Sequence, residues 1–325
     1  MVLKKSISFI ALLLVFMVII TGCGKKQEEK LMDEVSANLE MEAEEDTNMR
    51  ETVLYYQDDS GYLVPVMREI PWEEGIAKAA LSKLIDAPEI QEDFMSMGLR
   101  ALLPANTKIL GMSIKDGLAK IDFSKEAMEC MDAVAESNMV NGVVLTLVEF
   151  PTIDRVQFMF EGKIVDSLKF GTKVGEPIEP KDINPELGPD SDGSGAKVTV
   201  FFHTTSPSQY DYLVPVTRFT SASELNLETA IEELLKGPKS DSNLHMDVPV
   251  GTKLLGVQID DGIAYINFSK EFAALEDSPN ESLVLKSIYM TAKQYSEANH
   301  VKIMVDGKEY QGSDWLATSV FANEY

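Results

Sequence analysis

Of the side chains here that could do chemistry, the Cys23 thiol has the most informative setting. It closes Ile20-Thr21-Gly22-Cys23, an aliphatic residue and two small ones before a cysteine. This is the pattern of a bacterial lipobox, in which the thiol receives a diacylglycerol. Ahead of it, Lys4 and Lys5 precede an apolar run from Ile7 to Ile20, broken only by Ser8. A run of about 14 residues falls short of the roughly 20 that a membrane-spanning helix needs, but it has the size of a signal-peptide core. Residues 1–22 are therefore expected to be removed, leaving Cys23 first. Its acyl groups, palmitate among them, would hold the chain on a membrane.

The remaining candidates carry little chemistry. If Cys23 is acylated, Cys130 is left as a single thiol that can form no intramolecular disulfide. Met128-Glu129-Cys130-Met131 reads as an apolar-leaning helical stretch with a buried, inert thiol. His203, His245 and His300 lack the i, i+4 spacing of a helical metal pair and are expected in loops or on the surface. Ser194-Gly195-Ala196-Lys197 matches Ser-x-x-Lys, but in a Gly-rich segment leading into a strand rather than at a helix start. Asp190-Ser191-Asp192-Gly193 lacks the further ligands of a calcium loop. Ser124-Lys125-Glu126 and Ser269-Lys270-Glu271 read as strand ends with serine N-caps, and Glu136 and Glu281 as helix-start acids. Asp122 has Asn267 as its counterpart, so a catalytic carboxylate there would be missing from one copy. Trp72 and Trp315 have no aromatic cluster around them. No catalytic residue, metal site or cofactor is expected.

Charge narrows the partners. Removing Lys4 and Lys5 with the signal takes 29 basic residues to 27, against 53 acidic ones. So acidic a balance argues against electrostatic binding of nucleic acid phosphates and disfavours adsorption to anionic lipid. Residues 23–51 hold many of these acids, including Glu42, Glu44, Glu45 and Asp46, and read as a solvated tether.

The elements that must position everything else come from a duplication. Tyr62-Leu63-Val64-Pro65-Val66 recurs as Tyr212-Leu213-Val214-Pro215-Val216, each followed two residues on by an arginine, Arg68 or Arg218. Pro104–Glu126 aligns without a gap to Pro249–Glu271, with 14 identities in 23 positions. Val156–Lys163 matches Val301–Lys308. The copies are expected at 52–170 and 197–317. Between them, 171–196 forms a semi-extended Pro/Gly-rich linker, and a tail follows at 318–325.

Periodicity predicts a hairpin over Val53–Tyr56 and Tyr62–Arg68, then a helix from Ile76 to Ile85, or Leu227 to Leu235 in the second copy. Strands Ile109–Ile114 and Leu118–Phe123 meet at Asp116-Gly117, and Leu254–Ile259 and Ile263–Phe268 at Asp261-Gly262. Asp-Gly is the signature of a type I′ turn, which needs positive φ at both residues. A helix (Met139–Phe150; Ser282–Tyr295) and a last strand (Val156–Phe160; Val301–Val305) complete each copy. The expected class is α+β: two tandem α/β sandwich units, each a β-hairpin plus α-β-β-α-β, with two helices on a mainly antiparallel sheet.

At these blocks the sequence resembles the GerM domain family. The residues that carry this are Pro104, Gly111, Asp116, Gly117 and Phe123 in the first copy, and Pro249, Gly256, Asp261, Gly262 and Phe268 in the second, with Thr-Lys-Ile/Leu-Leu-Gly and Phe-Ser-Lys-Glu around them. The resemblance covers nearly all of the chain outside tether and linker. It implies a fold like the ring-building modules of secretion systems and a non-catalytic role in sporulation and spore germination. It also implies a place on the outer face of the mother-cell or forespore membrane, supporting a complex of other sporulation envelope proteins. The alternative is a module that binds peptidoglycan or tethers a wall hydrolase; an envelope enzyme is the remote one. The copies differ where Tyr295-Ser296 replaces Phe150-Pro151, and where the loop at 202–211 exceeds Gln57–Gly61.

Overall fold

The computed structural model describes residues 49–72, 75–94, 96–186, 196–222, 224–295, 300–311 and 321–324. The expected signal peptide, Cys23, almost all of the tether, Asp190–Gly193, Ser194 and Trp315 lie outside the described residues.

Repeat 1 opens with a hairpin, β1 (Met49–Asp58) and β2 (Leu63–Pro71). Asp58 Oδ1 accepts from Tyr62 N at 2.8 Å and Gly61 takes φ 88°, so an acid and a glycine set the turn. Helix α1 (Ile76–Ser82) follows, and then an unexpected α2 (Pro88–Phe94), with proline at its first residue and Ile90 and Phe94 buried. The expected single helix to Ile85 thus ends at Ser82. Strand β3 (Leu99–Arg100) returns to pair antiparallel with β1, giving a three-stranded sheet in the order β2-β1-β3.

A second sheet holds β4 (Ile109–Lys115), β5 (Leu118–Phe123) and β6 (Arg155–Phe160) in chain order. Asp116 and Gly117 both have positive φ, 51° and 74°, as a type I′ turn requires. The α3 helix (Ala133–Val148) crosses between β5 and β6, which therefore run parallel. The hairpin does not extend this sheet, so each unit carries two small sheets rather than one. Beyond β6, the short β7 (Pro185–Glu186) belongs to the segment expected to be a spacer.

Repeat 2 repeats the plan with β8 (Ala196–Thr205), β9 (Asp211–Thr220), α4 (Leu227–Leu235), β10 (Leu254–Asp260), β11 (Ile263–Phe268), α5 (Glu281–Ala292), β12 (His300–Val305) and β13 (Lys308–Glu309). Again β11 and β12 are parallel, and Asp261 and Gly262 have φ 46° and 75°.

The helices touch both sheets: α4 packs on β8 and β10, and α1 on β2 and β4. Leu54, Tyr56, Phe123 and Phe158 fill repeat 1, and Phe202, Phe268, Phe272 and Ile303 fill repeat 2, all fully buried. Each such side chain stabilises the fold by roughly 1.5–3 kcal/mol relative to exposure. Fully buried threonines at matching helix positions join helix to hairpin: Thr146 Oγ1 accepts from Tyr55 N at 3.2 Å and Thr291 Oγ1 from Phe201 N at 3.0 Å. Both repeats lie in one compact unit, Arg50–Tyr325.

Candidate functional site

The repeated signature residues build turns. Thr107 Oγ1 donates to Pro104 O at 2.6 Å, and Thr252 Oγ1 to Pro249 O at 2.7 Å, closing the entry to β4 and β10. Gly111 and Gly256 sit at matching bulges, where one extra residue, Leu110 or Leu255, is pushed outward. Asp122 Oδ1 accepts from Gly162 N at 2.9 Å, and Asn267 Oδ1 from Gly307 N at 3.0 Å. Each pins a turn whose two residues have positive φ (50° and 74°; 50° and 78°). Acid and amide are interchangeable there because only an acceptor oxygen is needed.

The serines differ from the expected N-caps. Ser124 Oγ and Ser269 Oγ accept from Lys108 N and Lys253 N, both at 3.0 Å, tying the strand end back to the start of its hairpin partner. Their hydroxyls also hold Glu126 and Glu271 below the usual carboxylate range. The short helical turns that follow are 3-10, Lys125–Met128 and Lys270–Leu275. Cys130 therefore lies just beyond a 3-10 turn rather than in an α-helix. It is buried, and burial with nearby Glu136 and Asp132 pushes its thiol up to about 11.

Glu136 is not a cap either. Asp132 caps α3 by accepting from Ala135 N at 2.8 Å. The fully buried Glu136 instead accepts from Phe170 N at 2.8 Å and Thr172 N at 3.0 Å, latching the chain that leaves repeat 1. Burial pushes its carboxyl up, but these bonds outweigh it and hold the group below its usual range. In repeat 2, Glu281 accepts from Asp277 N and from the Tyr310 hydroxyl, at 3.0 and 2.6 Å.

His203 was expected near the surface but is buried in β8, bonded through its backbone to His245. Its Nε2 lies 3.5 Å from Asp247 Oδ2, and burial holds the ring below the ordinary histidine range. His245 and His300 are exposed. Lys197 pairs with Asp182 at 2.6 Å. Trp72 is exposed, with the Arg50 guanidinium 5.2 Å from its ring. Among the described residues, no group of three His, Cys, Asp or Glu could hold a metal ion, and no helix is long and apolar enough to cross a membrane.

The repeated arginines do more than their spacing suggested. Arg68 pairs with Asp93 at 2.7 Å and lies over the Phe94 ring. The buried Arg218 donates to Glu186 Oε2 (2.8 Å), Glu233 O (2.7 Å) and Gly237 O (2.6 Å), so it closes the end of α4 while holding β7.

Two features present surface for binding. One is a cleft of about 860 Å³ where the repeats meet, lined by Tyr62, Asn138, Asn141, Asp182, Lys197 and Asp241. Across the same junction, Tyr212 Oη donates to the buried Asp58 Oδ2 at 3.2 Å. The other is a pair of edge strands. Among the described strands, β4 and β10 each pair on one side only. Each exposes the same apolar positions, Leu110 (48%) and Ile114 (43%) in one, Leu255 (52%) and Ile259 (38%) in the other. Exposed apolar side chains on an open edge favour contact with another protein.

Set against known proteins, the chain is 30% identical over 295 residues to the spore germination protein GerM of Bacillus subtilis, covering 89% of this chain and 78% of that one. The solved tandem GerMN domains of the Bacillus subtilis sporulation protein GerM superpose with a TM-score of 0.67 at 30% identity, covering 80% of this chain and 92% of that one. The family model described as "Germane: Sporulation and spore germination" matches twice, at residues 53–166 and 199–311. Two matches on the two structural repeats, with a relative of this identity and coverage, place the chain: it belongs to the Germane (GerM) family of sporulation and spore germination.

Proposed function

We propose that the chain is a non-catalytic lipoprotein, anchored through Cys23 on the extracytoplasmic face of a Gram-positive cell membrane. There it supports a protein complex of the sporulating envelope. The observation that carries the reading is the duplicated open edge: β4 and β10 offer the same exposed apolar pair from one compact unit. A scaffold joining other proteins needs repeated surfaces, and these edges supply them. The acidic tether stands the pair off from the membrane, and the lipobox accounts for its placement. Membership of a sporulation and germination family supplies the setting.

The test replaces Leu110 and Ile114, or Leu255 and Ile259, with aspartate in the host chromosome. Being exposed, these changes should leave the protein folded and present while spore yield or germination falls. Normal sporulation and germination in the quadruple variant would contradict the proposal. The polar lining of the cleft supports a second reading, in which peptidoglycan is the ligand. Retention of the purified chain on isolated sacculi, lost with Asn141→Asp, would favour it.

A further inference from the structure

Strands β2 and β9 contact each other where the repeats meet, and each carries a proline at the matching position of its Leu-Val-Pro-Val stretch, Pro65 or Pro215. Proline has no N–H, so neither strand can run an unbroken ladder along the other. Two asparagines fill the gap, one from each segment that trails a repeat. Asn184 Oδ1 accepts from Leu63 N, and its amide donates to Leu63 O and to Pro215 O, all at 2.8 Å. Asn323 Oδ1 accepts from Leu213 N, and its amide donates to Leu213 O and to Pro65 O, again all at 2.8 Å.

The two sets interchange when Leu63-Val64-Pro65 is swapped with Leu213-Val214-Pro215. Each asparagine amide uses both of its N–H donors and one lone pair of its oxygen on these three groups, so both staples engage three of the side chain's four hydrogen-bonding positions. The backbones obey the same exchange. Thr217 N donates to Ile183 O, and β7 runs parallel to β9; Met67 N donates to Asn323 O, and Glu324 bridges parallel to Met67. Each trailing segment thus clamps its own repeat with its asparagine and lends its backbone to the other repeat. Asn323 is buried, although it stands next to the last described residue.

We infer that the duplicated Tyr-Leu-Val-Pro-Val strands and their exchanged trailing segments form a self-complementary docking surface, so that each repeat is the other's binding partner without need of the covalent link between Glu186 and Ala196. The chain is built as a fused dimer with a pseudo-twofold joint, the isologous arrangement in which one patch meets its own copy. Asn184 and Asn323 are its positioning residues. Residues 183–186 and 322–324 belong to the joint, not to a spacer and a free tail.

The test places a protease site between Glu186 and Ala196 in the full mature chain, cleaves it, and follows the halves by size exclusion with light scattering. Circular dichroism of the separated halves distinguishes loss of docking from loss of folding. The halves should co-elute as a 1:1 complex. Asn184→Ala or Asn323→Ala should each weaken association at least about tenfold, since each unpairs buried backbone groups, and the double variant should separate at micromolar concentration. Halves that part on cleavage overturn the inference. So does association that both substitutions leave unchanged.

Discussion

Glu136 offers a quantitative check because its partners are few and its environment closed. The carboxylate is fully buried and takes one backbone N–H on each oxygen, from Phe170 and Thr172. Glu136→Gln keeps the shape but leaves one oxygen, setting an amide NH₂ against a backbone donor. A hydrogen bond to a charged group contributes about 1.5–3 kcal/mol, so losing one of the two should cost about 1–3 kcal/mol. Glu136→Ala unpairs both donors and should cost about 2–5 kcal/mol. The sign with pH follows from the lowered folded-state pKa. The carboxylate's contribution is complete above its unfolded value, about 4.3, and is lost as pH falls through the folded one. Urea unfolding at pH 7 should therefore separate wild type from Glu136→Gln by that margin, with the gap closing below about pH 4. Equal stability at pH 7, or a gap unchanged down to pH 3, would refute the latch.

Other perturbations probe the remaining joints. Arg218→Met should destabilise by about 3–5 kcal/mol in chemical unfolding, because it strands the largely buried Glu186 carboxylate and two carbonyls at the end of α4. Thr146→Val and Thr291→Val should cost similar amounts, about 1–2 kcal/mol each, since each unpairs one strand N–H against a near-isosteric side chain. Asp58 lies at the junction with its carboxyl raised by burial, though bonds from Tyr62 and Tyr212 pull it back. A raised folded-state pKa makes the protonated form the better fit, so Asp58's own contribution to stability should rise as pH falls through that value. Asp58→Asn should flatten this slope.

The duplication made much of the fold legible. The Asp-Gly strand pairs fall within one residue of their expected limits, because turn chemistry and alternation are both local. Helix α2 escaped notice: seven residues, four of them Glu, Gln or Asp, give an apolar stripe of only Ile90 and Phe94. The parallel run of β6 against β5 follows from a helical crossover, which spacing alone does not orient. The trailing segments were misread for a different reason. Prolines around Asn184 suggested a spacer, yet its partners lie 121 and 31 residues away, and those of Asn323 lie 258 and 110 residues away. No local pattern announces such bonds. His203 was misplaced likewise, since its burial comes from packing rather than from its neighbours in sequence. Among the candidate surfaces, the exposed leucines at the bulges were visible as a repeated Leu-Gly, but their outward direction depends on the register shift.

The central claim is that a folded, non-catalytic pair of repeats acts from a membrane through its lipid. Replacing Cys23 with alanine in the host tests it most directly, with detergent phase partitioning of the protein and spore yield and germination read on the same cells. The account predicts that wild type enters the detergent phase and the variant stays aqueous, while sporulation or germination declines although the repeats remain folded. A variant that still partitions into detergent, or one that turns aqueous and leaves sporulation and germination intact, would contradict it.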